Sequence, residues 1–150
     1  MRNKILYTFM ILVFSTGGLQ TFARNPVLKD RQKAAVKSPP ELVILWTTAE
    51  KEVLTKMLYI YVPNAKKQEW FKKVTFIIWG PSAKLLAEDK EVQDIIQMFK
   101  KTGVKLEACS WCTGQYGVTE DLKNMGVDVK GMGSPLTKYL KDPDKKVVVF

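Results

Sequence analysis

The sequence predicts an α/β domain of three α/β/α layers, in which a mostly parallel five-stranded sheet is covered on both faces by helices. Three observations carry this expectation. Short apolar runs alternate with segments whose apolar residues recur every three or four positions, in the order β-α-β-α-β-α-β-α-β. The links between them are short and rich in Gly and Pro, which suits right-handed crossover units. The run at 74–79, Val-Thr-Phe-Ile-Ile-Trp, is almost continuously apolar, as a parallel strand buried on both faces requires.

Residues 1–23 are read as a secretory signal peptide. Arg2 and Lys4 precede an apolar run from Ile5 to Phe14, and Thr21-Phe22-Ala23 offers a cleavage site. That run spans ten residues, well short of the roughly 20 that a bilayer-crossing helix needs. Cleavage near Ala23 leaves 127 of the 150 residues, with no stable membrane span. It removes two of the 24 basic side chains and none of the 15 acidic ones, so the net charge falls from +9 to +7. Residues 24–40 are basic, poor in large apolar groups and closed by Pro39-Pro40, and read as a mobile leader. The domain itself is placed at 41–150.

Within it, residues 42–47 form the first strand. A helix follows over 50–62, its stripe Leu54, Met57, Leu58 and Tyr61, ended by Pro63-Asn64. A short irregular piece through Trp70-Phe71 leads to the second strand, 74–79, which Gly80-Pro81 stops. Ser82 is read as the cap of a short helix over 83–87. Val92, Ile95, Ile96 and Phe99 make a second helical stripe, ended by Gly103. In the third strand, 104–109, Lys105 and Glu107 alternate with Val104, Leu106 and Ala108, the pattern of an edge strand or of a face under a partner. Val118, Leu122 and Met125 form the next helical stripe, closed by Gly126. The fourth strand at 127–130, a helix at 135–141 and a last strand at 146–150 complete the domain.

Composition narrows the chemistry. With 46% hydrophobic and 26% charged residues, the chain is an ordinary globular protein. Its lysines fall in scattered pairs, such as Lys66-Lys67 and Lys145-Lys146, which read as solvated faces, and no nucleic acid is expected as partner. The absence of histidine removes every mechanism that uses imidazole, including Ser/His and Cys/His hydrolysis. Two cysteines three apart are no disulfide framework, so the fold must stand on its core. They are also only half of a structural zinc site, and neither a metal nor a cofactor is expected.

In a parallel sheet, ligands gather where loops leave the C-terminal strand ends. Four loops qualify: Thr47-Thr48-Ala49, Gly80-Pro81-Ser82, 109–116, and Gly131-Met132-Gly133-Ser134. The Cys109-Ser110-Trp111-Cys112 segment ends the third strand shortly before a helix, whose dipole would favour a thiolate. Cys109 is the candidate nucleophile, against the alternative of a small buried hydrophobe. Cys112 either resolves a sulfenate or persulfide on Cys109 or closes a disulfide with it. A thioredoxin-type centre is a weaker fit, because such pairs follow the first strand rather than the third. Trp79, Trp111 and Tyr116 are placed as walls of a pocket or as core and subunit contacts, with Gly80, Ser82 and Gly133 in the same set of loops. Thr47, Thr48 and Glu50 resemble a helix N-cap with a following acid.

From residue 41 to 150 the chain resembles the DsrE family of small sulfur-relay proteins. The features that carry the resemblance are Cys109 at a strand end with Gly117-Val118 eight and nine residues on, the Trp79-Gly80-Pro81-Ser82 turn, and the order of elements. The resemblance implies a Rossmann-like subunit, assembly into a trimer or hexamer, and a role for Cys109 as the residue that carries sulfur as a persulfide. The chain departs from the family pattern in having Cys112 and an export signal, which separates it from a cytoplasmic role in transfer-RNA thiolation. The function so implied is an exported, periplasmic sulfur carrier or sulfurtransferase, its donor and acceptor unknown. The rivals are a thiol-disulfide redox protein using both cysteines and a non-enzymatic oligomeric binding module.

Overall fold

The computed structural model describes residues 40–150, so the expected signal peptide and all of the leader but Pro40 lie outside the described residues. The chain runs through β1 (Glu41–Trp46), a π-helical stretch (Val53–Leu58) continuous with α1 (Tyr59–Lys67), β2 (Val74–Ile78), α2 (Ser82–Glu88) and α3 (Lys90–Lys101). It continues through β3 (Lys105–Cys109), α4 (Ser110–Tyr116), α5 (Thr119–Asn124), β4 (Asp128–Lys130), α6 (Gly133–Lys141) and β5 (Lys145–Val149). All neighbouring strands are parallel, in the order β4-β3-β2-β1-β5.

That order makes the two faces unequal. The chain steps from β1 to β4 in one direction, so right-handed crossovers place α1, α3 and α5 on one face. The single return from β4 to β5, across the whole sheet, puts α6 on the other. On the first face Leu42, Ile44, Trp46, Phe76, Ile78 and Leu106 meet Leu58, Val62, Ile96, Phe99 and Leu122 in one large core. Phe76 sits between Trp46 and Phe99, at ring-centroid distances of 5.9 and 5.3 Å. The second face carries a much smaller cluster, Val43, Leu45, Ile77, Cys109, Cys112 and Met132. Its helical cover comes from α6, which has no fully buried residue and rests on Leu136 and Tyr139, and from Cys112 in the first turn of α4. The expected three layers are present, with one of them thin.

Several elements differ from the sequence expectation. Pro63 does not end the first helix but lies inside α1, buried beside Val62 and Ala65. Its missing N–H costs one hydrogen bond, which the burial of the ring helps to offset. Upstream, Tyr59 N–H bonds Leu54 O, five residues back, and this wider turn moves the apolar face to a spacing of four. Leu54, Leu58 and Val62 are therefore buried, whereas Met57 and Tyr61, expected on the buried stripe, are 53% and 40% exposed. β3 is no edge strand: it lies between β2 and β4, and Glu107 is fully buried. The edges are β4 and β5.

Ser82 is not a helix cap. Pro81 holds the cap position of α2 without a side-chain bond, while the buried Ser82 Oγ donates to Trp46 O at 2.7 Å and accepts from Trp79 N–H at 3.0 Å. It therefore ties the C-terminal ends of β1 and β2 together. Asp89 is the true cap of the following helix, accepting from Val92 N–H at 3.1 Å. Thr48 Oγ1 accepts from Glu50 N–H at 3.0 Å in a turn just ahead of the helical residues that begin at Lys51, whereas Thr47 Oγ1 donates to Phe150 O at 2.8 Å and anchors the end of β5. Among the described residues no helix is long and apolar enough to cross a membrane.

Replacing Ser82 by alanine leaves the direct Trp79 N–H to Trp46 O bond of 3.0 Å in place but removes the hydroxyl that bridges the two strand ends, and is expected to cost about 0.5–1.5 kcal/mol in urea unfolding. Thr48→Ala, at a solvent-facing bond, is expected to cost less. Equal losses for the two would contradict the strand-tying role.

Candidate functional site

The site grows from the end of β3. Ala108 faces the large core, so Cys109, one residue on, faces the thinly covered side. Cys109 is also the N-cap residue of α4, which opens at Ser110 and replaces the expected loop by seven helical residues. Gly117, at φ +70°, closes that helix in the left-handed region, where an L side chain would be strained. One turn in from the cap, Cys112 points back to the same cluster, and the two thiols are 5% and 8% exposed.

The thiols are unbridged and lie in one buried cluster. Burial, and then the neighbouring Cys109 side chain, push the Cys112 thiol above its ordinary value, while the Gly80 backbone N–H works in the opposite sense. Gly80 reaches it because φ of +68° turns the chain sharply after β2, with Thr47 O 3.8 Å from where a Cβ would stand.

Trp79, half-buried, packs against the cysteine cluster, and Ser82 sits behind it on the strand ends. Trp111 and Tyr116 do not wall a closed pocket: they project from α4 with 73% and 42% exposure. Gly133 opens α6, and a Cβ there would meet nothing within 4 Å. Beside it Met132, not singled out by the sequence, is 1% exposed and lies in the cysteine cluster.

A second missed feature is Glu107, which shares the face of Cys109. Its carboxylate accepts from Lys105, from Lys130 at 2.8 Å and from Tyr139 Oη at 3.1 Å. Lys130 is the cross-strand partner of Cys109 and is also paired with Asp128. Burial alone would raise the Glu107 pKa, but the two ammonium groups overcome it and leave the pKa below its ordinary value. This carboxylate therefore joins β3, β4 and α6 beneath the thiols. The signal in the sequence was the Lys105/Glu107 alternation, which shows a polar face but not what covers it.

Two clefts lie away from the thiols. One of about 590 Å³ is lined by Thr55, Tyr59, Lys90, Glu91, Asp94, Ile95 and Met98, and an apolar groove of about 240 Å³ by Met57, Leu58, Tyr61 and Phe150. No group of three His, Cys, Asp or Glu able to hold a metal occurs among the described residues.

No protein-family model matches the chain, and no curated protein matches it either. Its fold is that of the ychN protein from E. coli, with a TM-score of 0.55 and 15% identity over 74% of this chain and 98% of that one. At that identity the likeness is one of fold alone. A conserved protein of unknown function from Bacteroides thetaiotaomicron, BT1422, superposes with a TM-score of 0.71 and 40% identity, covering 74% of this chain and 95% of that one. The chain belongs to the same family as this Bacteroides protein.

Because the folded-state pKa of Glu107 is depressed, its contribution to stability is complete above the unfolded value near 4.5 and is lost as pH falls through the folded value. Acid unfolding of wild type and Glu107→Gln should therefore differ most above about pH 5 and converge below it. Parallel stability curves across that range would show that the buried carboxylate contributes nothing through its charge.

Proposed function

We propose that the protein is an exported, DsrE-like sulfur carrier or sulfurtransferase that holds sulfur as a persulfide on Cys109. The observation that carries this reading is the pair of buried, unbridged thiols in one cluster at the C-terminal end of β3, within a ychN-like fold. The segment 1–23 supports export to the periplasm.

The chemistry is a simple displacement. The Cys109 thiolate attacks a sulfane sulfur, a new S–S bond forms, the donor's S–S bond breaks, and the donor leaves with the electron pair. An acceptor thiolate then takes the terminal sulfur and restores Cys109. Cys112, in the same buried cluster, is the thiol beside the carrier position. A second reading, thiol-disulfide exchange through both cysteines, is favoured by the same cluster, which holds the two unbridged thiols together. A third, a non-enzymatic oligomeric binding module, draws on the exposed aromatics of α4.

The resemblance to sulfur-relay proteins extends to assembly as a trimer or hexamer. Support comes from the open edge strand β5, where Val148 and Val149 are 41% and 59% exposed.

Two measurements test these statements. After gentle reduction and exposure to a persulfide donor, the intact mass of wild type and Cys112→Ser should rise by one sulfur atom, and that of Cys109→Ser should not. A wild type that only closes an internal disulfide supports the redox reading instead, and full function in Cys109→Ser supports the binding module. In sedimentation velocity the protein should run as a trimer or hexamer, and Val148→Glu should shift it toward smaller species. A wild-type monomer at all concentrations would refute the assembly.

A further inference from the structure

The chain is strongly basic, yet the region around Cys109 is not. The segments at the C-terminal strand ends, 47–50, 79–82, 110–116 and 131–135, contain neither Lys nor Arg, and their single charged residue is Glu50. Flanking lysines are engaged by acids. Lys130 sits 2.8 Å from Glu107 and is paired with Asp128. Lys51 bridges Asp89 and Glu91 at 2.7 and 2.8 Å, and Lys84 faces Glu88 at 3.9 Å. What the site offers is apolar surface. Trp111 is the most exposed large hydrophobic residue among those described, Val149 is exposed on the same sheet face as Leu45, and Trp79 and Met132 line the inner side.

A sulfur oxyanion such as thiosulfate would bring two negative charges to strand-end loops that, among the described residues, carry no cation and whose flanking lysines Lys51, Lys84 and Lys130 are already paired, and would surrender hydration with little compensation. A neutral donor with an apolar group gives up little on leaving water and gains contact with the indole of Trp111. Resting on the sulfur-carrier reading above, we infer that this site selects neutral organic sulfane donors, such as aryl-substituted trisulfides, over sulfur oxyanions.

The reaction balances without an outside reagent. The Cys109 thiolate attacks the central sulfur of R–S–S–S–R, expelling one R–S⁻ and leaving Cys109–S–S–S–R. The expelled thiolate then attacks the sulfur that bears R. This forms R–S–S–R and leaves Cys109–S–S⁻, so the sulfane sulfur moves from trisulfide to cysteine while the trisulfide becomes a disulfide. With thiosulfate, the same attack would release sulfite.

The test measures the rate at which one sulfur atom is gained at Cys109 from dibenzyl trisulfide and from thiosulfate, by intact mass on the full-length mature protein. Each rate is divided by that of N-acetylcysteine with the same donor, which removes intrinsic reactivity. The normalised preference for the trisulfide should be at least about tenfold, the effect of roughly one well-placed aromatic contact. Trp111→Ala should narrow it, and Ser134→Lys should raise the thiosulfate rate. A normalised ratio near one, or a preference for thiosulfate, overturns the inference while leaving the carrier reading standing. Loading by neither donor removes both. If Trp111→Ala changes the sedimentation mass and not the preference, Trp111 serves a second copy of the chain and the proposed donor contact is wrong.

Discussion

The handedness of the crossovers is the constraint on which the rest of this molecule depends. Three successive steps in one direction commit α1, α3 and α5 to the same face, and one long return places α6 on the other. The first face becomes the core, closed around Trp46, Phe76 and Phe99. The second remains thin at the C-terminal end of the strands, and the cysteines, Met132 and Trp79 gather there. A sheet with helices evenly shared between its faces would have buried that region under another layer.

Keeping a thinly covered site in place requires the strand ends to be held by something other than helix packing. Ser82 ties β1 to β2, Thr47 ties β1 to the end of β5, and Glu107 gathers β3, β4 and α6 through Lys130 and Tyr139. Each is a buried or half-buried polar contact, where a missing partner is costly, so these bonds specify position as well as add stability. Gly80 and Gly117 supply the left-handed turns that set the Cys112 sulfur against a backbone amide and stop α4 after two turns.

The charge distribution follows the same division. Lysines cover the outer surfaces, where they pair with acids or meet solvent, and the loops beside the thiols have none. A net positive charge therefore describes the chain as a whole and not its site. The proposed sulfur exchange draws on two unbridged thiols in an apolar setting, and the absence of histidine leaves no imidazole to assist.

Strand and helix order, the parallel sheet and the place of Cys109 at a strand end were legible in the sequence, because periodicity and turn residues are local signals. Cys112 was legible as a partner through its spacing alone. Other features were not: the π-turn that rotates Met57 and Tyr61 outward, Pro63 inside a helix, and Ser82 as a strand tie all arise from packing between segments distant in sequence. Glu107 shows the division most clearly, since its alternation with Leu106 and Ala108 marked a polar face, and an edge strand satisfies that pattern as well as a buried ion pair does. The sequence by itself determined which segments are strands, which are helices and where the thiols fall along the chain. Only the tertiary structure decided which strand lies at the edge, which face stays open and which lysines are free, because those depend on what lies across the sheet.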